Sequence, residues 1–176
     1  DGSNQSYMVL VDANDAGKFN ITEAHYLDGH RNFSFLLTGT LTTLMPNADI
    51  AMEGGDAMIV RGNINVLGQD AKLSIQSDKW VYWEGFADVA GDLSIYGGVE
   101  TDGTDLGGVN TKGASVYVHA TSLLTTNQAG TSIYVEGSKD VDLFGAIVPG
   151  GEVGKSGVTF NGPGSTAKVV AGEQIY

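Results

Sequence analysis

The sequence contains no cysteine, and this absence excludes both a disulfide framework and thiol catalysis. Basic side chains are also scarce, with 9 against 21 acidic ones and a formal net charge of −12. Only Arg31 and Arg61 are arginines, and no two lysines or arginines are adjacent. Nucleic acid and anionic membrane surfaces are bound through basic clusters, so we expect neither as a partner.

Long hydrophobic runs are missing as well. No apolar stretch approaches the ~18 residues of a membrane-spanning helix, so we expect no membrane insertion. No helical periodicity of useful length is present either. The chain is instead rich in glycine, 26 of 176 residues, and in Thr, Ser, Asn and Val. This composition favours short strands and tight turns, and predicts an all-β fold in a single domain.

One strand pattern recurs along the chain. ASVYVHA, which begins at Ala114, is followed by TSIYVEG, which begins at Thr131. In both, apolar residues stand two apart between small or polar ones, as in a half-buried strand. A short strand of this kind has no core of its own, so copies must stack on each other to bury their apolar side chains.

From Ala48 onward similar units follow one another, each with apolar residues two apart that we predict to point inward. These predicted inward pairs are Ile50 and Met52, Met58 and Val60, Ile64 and Val66, Leu73 and Ile75, Val81 and Trp83, Leu93 and Ile95, Val116 and Val118, Ile133 and Val135, Val141 and Leu143, and Val158 and Phe160. Intervals of about 17 to 23 residues between principal strands match one coil of a parallel β-helix. The alternative fold is a β-sandwich or jelly roll.

The N-terminal part differs from the remainder. Residues 7–12 and 18–27 have the pattern of a hairpin, and residues 33–44 that of a further strand. We predict that residues 1–46 cap the first open edge of the repetitive body at residues 47–176, within one structural domain. The alternative is that these strands are donated to a neighbouring subunit.

Two glycine-rich stretches interrupt the strands, at residues 100–112 and 149–155. The first has few apolar residues, and we predict a protruding loop there. Loops on a rigid scaffold often carry function.

The units GASVYVHA, GTSIYVEG and GDLSIYGG resemble the coils of filamentous-haemagglutinin-type bacterial surface proteins and of related giant extracellular adhesins. The resemblance covers residues 48–172. It implies a right-handed parallel β-helix at the cell surface that acts in adhesion or as a stalk. Its partners would be other copies of the chain or cell-surface glycans.

Two other functions remain open: a subunit of a self-assembling extracellular filament that uses strand complementation, and a carbohydrate-binding module. We expect no enzymatic activity, because no G-x-S-x-G elbow, P-loop or dinucleotide fingerprint is present.

Residues 12–23 follow the spacing of a calcium-binding loop. The candidate ligands there are Asp12, Asn14, Asn20 and Glu23. Ala16 stands where a fifth oxygen ligand belongs, and the flanking residues have strand patterns, so a hairpin turn is the alternative. Asp102 and Asp105 are a second calcium candidate, and solvated acidic surface is the alternative for this pair.

Three N-x-S/T sequons begin at Asn4, Asn20 and Asn32, and predict N-glycosylation if the source organism glycosylates. The alternative is that they are ordinary turn and strand residues.

Several aromatic residues alternate with the inward ones and should point outward. They are Tyr82, Trp80, Tyr117 and Tyr134. The pattern predicts that Tyr117 and Tyr134 stack one coil apart and bind a partner or a glycan. The alternative is that outward tyrosines only stabilise their sheet.

Overall fold

A computed structural model describes residues 18–21, 34–110, 113–151 and 162–176, with the backbone alone for residues 18–21 and 35. All regular structure in these residues is β. The strands, in chain order, are β1 (Lys18–Ile21), β2 (Ser34–Leu37), β3 (Thr40–Thr43), β4 (Asp49–Gly54), β5 (Ala57–Val60), β6 (Asn63–Val66), β7 (Lys72–Ser77), β8 (Trp80–Trp83), β9 (Phe86–Val89), β10 (Leu93–Gly97), β11 (Ala114–Val118), β12 (Leu123–Thr126), β13 (Ser132–Gly137), β14 (Asp140–Leu143), β15 (Ala146–Val148) and β16 (Thr166–Ala171).

The strands form three sheets in which every pairing between named strands is parallel. Sheet A has the order β1-β4-β7-β10-β13-β16, sheet B has β2-β5-β8-β11-β14, and sheet C has β3-β6-β9-β12-β15. Each neighbour is therefore the third strand along the chain, and three consecutive strands make one coil. The predicted parallel β-helix is confirmed.

The coils are numbered one to six along the chain. Coil one comprises β1 to β3, and coils two to five comprise the next three strands each. Coil six comprises β16 and the residues that follow it. Residues 172–176 extend sheet B into coil six, where Ile175 bridges to Val141. The basic repeat is 23 residues, as between Asp49 and its partner Lys72 or between Ala57 and Trp80. Longer excursions separate β10 from β11 and β15 from β16.

The core is a single column of apolar side chains between the three sheets. All the predicted inward residues from Ile50 to Val141 are buried, which confirms the alternation. Leu143 is only partly buried, and Val158 and Phe160 lie outside the described residues. Trp83 is the largest fully buried side chain, and its indole N–H donates to the carbonyl oxygen of Gly85 at 3.0 Å.

The corner between sheets B and C depends on glycine in coils one to three. Gly39, Gly62 and Gly85 occupy equivalent positions there, and a Cβ on Gly85 would overlap the carbonyl oxygen of Gly62. Backbone ladders fix the spacing of neighbouring strands at ~4.8 Å, so successive corners cannot move apart to admit a side chain.

The turn from sheet C to sheet A has a left-handed residue in most coils. Asn47 and Asp70 have φ values of 55° and 56°, and Gly130 has 79°. Asn, Asp and Gly are the residues that tolerate this conformation best. A small residue and an alternating strand follow, which explains the repeated small-x-β-x-β pattern.

One prediction for the N-terminal part of the chain is wrong. Residues 33–44 do not form one strand, because the chain turns at Gly39 between β2 and β3. Together with β1, these strands pair in parallel with coil two and are the first described coil. Residues 7–12 lie outside the described residues, so the hairpin, the cap and the donated strand stay predictions.

The first predicted loop is confirmed as an exposed excursion at the corner between sheets A and B, where residues 101–107 are exposed. It returns to the body at Gly108, whose carbonyl oxygen accepts from the hydroxyls of Ser115 and Ser138 at 2.7 and 3.1 Å. Of the second stretch, residues 149–151 are described. No helix in the described ranges has the length and apolar character needed to cross a bilayer.

The glycine corner gives a stability prediction. Gly85→Ala should lower the free energy of unfolding by about 3 kcal/mol, because the new methyl group forces the coil spacing to change. Gly103→Ala in the exposed excursion is the control; it adds only the strain of a positive φ and should cost about 1 kcal/mol. Urea unfolding measures both. Equal losses would show that the corner spacing is not the constraint.

Candidate functional site

The outer face of sheet B carries a set of aromatic side chains. Alternation turns Val81 and Trp83 of β8 into the core, and this places Tyr82 on the outside. Tyr117 of β11 is the in-register partner of Tyr82. The parallel ladder therefore brings together two tyrosines from distant parts of the sequence.

Their rings stack almost parallel, with centroids 5.3 Å apart and planes inclined by 6°. The ring of Phe144, which directly follows β14, contacts Tyr117 with centroids 5.5 Å apart. Trp80 lies on the same outer face as Tyr82, at the start of β8. We call Trp80, Tyr82, Tyr117 and Phe144 the aromatic stripe. Because Tyr117 has ring neighbours in two directions, the stripe presents ring edges and hydroxyls more than open ring faces.

A row of polar side chains borders the stripe, one residue beyond each sheet-B strand. Arg61 and Glu84 form an ion pair in this row, with Nε and Oε2 3.4 Å apart. Partial burial, followed by the charge of Glu84 and a hydrogen bond to it, raises the pKa of Tyr82. His119 is next in the row, and Phe144 occupies the same row in coil five. We call Arg61, Glu84 and His119 the border row.

His119 lies at a corner that lacks the usual glycine. The backbone N–H of Thr121 donates to His119 Nδ1 at 3.3 Å. Nδ1 also lies 2.8 Å from the hydroxyl oxygen of Thr121, and an uncharged imidazole that accepts the backbone bond at Nδ1 carries its proton on Nε2. The side chain thus offers an N–H donor beside the aromatic stripe.

Tyr134 is not part of this stripe, and the predicted stack of Tyr117 on Tyr134 is wrong. Tyr134 belongs to β13 in sheet A, where its ring lies 5.6 Å from that of Tyr96. Lys168 Nζ is 5.3 Å from its centroid, and its hydroxyl donates to Glu136 at 2.7 Å. The 17 residues between the two similar strands lead from sheet B to sheet A and do not complete a coil.

No family model, curated protein or solved structure matches this chain.

The predicted calcium ligands are only partly described. Asp12, Asn14 and Glu23 lie outside the described residues, as does the side chain of Asn20. Across the described ranges no three His, Asp or Glu side chains form a group that could hold a metal ion. Calcium binding at residues 12–23 stays a prediction.

Asp102 and Asp105 lie in the exposed excursion, each in a local turn. Asp102 accepts from the N–H of Thr104 at 2.9 Å, and Asp105 from that of Gly107 at 2.7 Å. The bonds from Thr104 lower the pKa of Asp102. These contacts explain both carboxylates as turn-forming groups, and calcium binding there stays a prediction.

The glycosylation candidates also remain predictions. Asn4 and Asn32 lie outside the described residues, and only the backbone of Asn20 is described, within β1.

Sequence reasoning missed Arg61, Glu84, His119 and Phe144 as surface companions of the tyrosines. A signal was present for each of them. His119 stands two residues after Tyr117, so strand alternation places both side chains on one face. Arg61, Glu84 and Phe144 each stand directly before a glycine at the corner between sheets B and C. Their shared position in the repeat would have placed them in one row.

The contact of Tyr134 with Glu136 gives a spectroscopic prediction. The hydrogen bond to Glu136, with partial burial, raises the pKa of Tyr134 to about 12. Because the pKa is higher in the folded state than in the unfolded state, the contact contributes its full stability below the ordinary tyrosine pKa of ~10. This contribution is lost as the pH rises toward 12. Tyrosinate absorbance should therefore show a late phase that moves to lower pH in Glu136→Gln. Glu53→Gln, in the same row three coils away, is the control. A late phase that is identical in both variants would contradict the assignment.

Proposed function

We propose that this chain is an extracellular structural and adhesive surface protein that contacts macromolecular partners through the outer face of sheet B. The observation that carries the proposal is the aromatic stripe on a regular sheet surface. Phe144 is 52% exposed and Leu36, further along the same face, is 54% exposed. Aromatic groups grouped on an exposed surface are typical of binding sites.

The scaffold suits this role. Its surface is set by backbone ladders and a continuous core, so side chains on one sheet keep fixed mutual distances. Such pre-organisation reduces the entropy lost on binding. The resemblance of the coils to bacterial surface adhesins supports the same proposal.

A filament subunit is the second candidate, and the edge of sheet A favours it. Within the described residues β16 pairs with β13 on one side only. Val169 and Ala171, at inward positions of β16, are half-buried. An open edge of this kind can accept a strand from another chain. Negative-stain microscopy of the purified chain separates the candidates, because only the filament subunit forms fibres.

Surface display on a non-adherent bacterium tests the adhesive function. Display of the chain should cause the cells to clump or to adhere to glycan-coated plates. Tyr82→Thr and Phe144→Ser should each reduce this by about tenfold or more, as expected when an aromatic hot spot is lost.

Tyr96→Thr is the matched control, because Tyr96 is an outward tyrosine of sheet A. It should leave clumping and adherence unchanged. Displayed cells that neither clump nor adhere would refute the adhesive function, and equal losses in all three variants would refute the role of sheet B.

A further inference from the structure

We propose that the partner of the aromatic stripe is a second copy of this chain, packed face to face on sheet B with its coil axis reversed. This inference rests on the proposed function, since it names the occupant of the face identified there. Packed sheets lie ~10 Å apart with their strands nearly aligned, so each column of outward side chains meets one column of the partner.

The two-fold axis runs along the strands, between coils three and four. It sets coil three against coil four, coil two against coil five, and coil one against coil six. Tyr82 in coil three then faces Tyr117 of the second copy, and the reverse contact occurs at the symmetric position. The two stacked tyrosines of the stripe thus pack on the same two tyrosines of the second copy at the centre of the contact.

The ends of the same column are also apolar. Leu36 lies in coil one, and Tyr176 lies in coil six, where its carbonyl oxygen accepts from the N–H of Leu143 at 2.8 Å. Tyr176 is 58% exposed and Leu36 is 54% exposed. The reversed arrangement places each against the other, so both exposed side chains become covered.

The border row is complementary under the same symmetry. Arg61 in coil two faces Phe144 in coil five, which allows a cation–π contact. Glu84 in coil three faces His119 in coil four, whose Nε2–H can donate to the carboxylate. Each contact occurs twice.

The corner on the other side of the face carries opposite charges at matching places. Asp56 belongs to coil two and Lys139 to coil five, so the reversed arrangement brings them together. Within its own chain Asp56 is paired with Lys79, and Lys139 with Glu173. The contact between copies would extend these two pairs into a charge network.

A parallel arrangement is disfavoured by one carboxylate. It would set Asp142, in the same column as Tyr82 and Tyr117, against the Asp142 of the second copy. Two carboxylates opposed in a partly dehydrated contact repel each other. The reversed arrangement places Asp142 opposite Ile59 and keeps the two copies of Asp142 three coils apart.

Sedimentation equilibrium of the purified chain tests the association. The expected result is a monomer of 18.3 kDa that converts to a two-chain species with rising concentration. Tyr82→Thr should raise the dissociation constant by about tenfold or more, and Tyr96→Thr should leave it unchanged. A single-chain mass throughout, or equal effects of both variants, would overturn the inference.

Cysteine cross-linking tests the orientation cleanly, because the chain has no cysteine of its own. A mixture of Ile59→Cys and Asp142→Cys should form a hetero-dimer with a short thiol-reactive linker, and neither variant alone should cross-link. Self-linking of Ile59→Cys, which keeps the Asp142 carboxylate, would indicate the parallel arrangement and overturn the proposal. Displayed cells that adhere to glycan plates while the purified chain stays monomeric would overturn only this inference and leave the adhesive function standing.

Discussion

The in-register parallel pairing of each strand with the coils before and after it is the constraint on which this structure depends. It fixes the distance between successive coils, and every other feature conforms to that distance. Corners on the glycine column must be narrow, so no side chain fits at Gly85. Inward positions must be apolar, since each faces the same position of the next coil across one backbone spacing. The same in-register pairing aligns outward residues in rows, and these rows form whether or not they bind a partner.

The alternation of apolar residues was sufficient to predict the β-helix and almost all of its core. The reason is that the side chains on the buried face of a strand must be apolar and stand two residues apart. The alternation was insufficient to say which sheet a strand belongs to, since the period of two is the same in all three sheets. This is why the sequence predicts one column for Tyr117 and Tyr134, although their strands lie in different sheets. The excursion between β10 and β11 hid the true spacing further, because it lengthens coil four while Val116 to Val118 stay in register with Val81 to Trp83.

The candidate site was predictable only in part for the same reason. Outward orientation of Tyr82 and Tyr117 follows from strand alternation, whereas their contact follows from the register of two strands 35 residues apart. His119 follows Tyr117 by two residues, so alternation places it on the same face, although its corner lacks the glycine that marks the position in other coils. The hydrogen bonds from Ser115 and Ser138 to the carbonyl oxygen of Gly108 could not be predicted from the sequence either. The distances along the chain from these serines to Gly108 do not match the repeat.

The 23-residue coil has a mechanical consequence. The backbone hydrogen bonds of all three sheets run along the solenoid axis, so tension applied along that axis pulls directly on the bonds between neighbouring coils. Each coil touches only its neighbours, and coils therefore detach singly instead of unfolding together. One detached coil of 23 residues lengthens the chain by up to ~80 Å. A solenoid of this design therefore lengthens in small steps under axial tension and limits the force that it transmits.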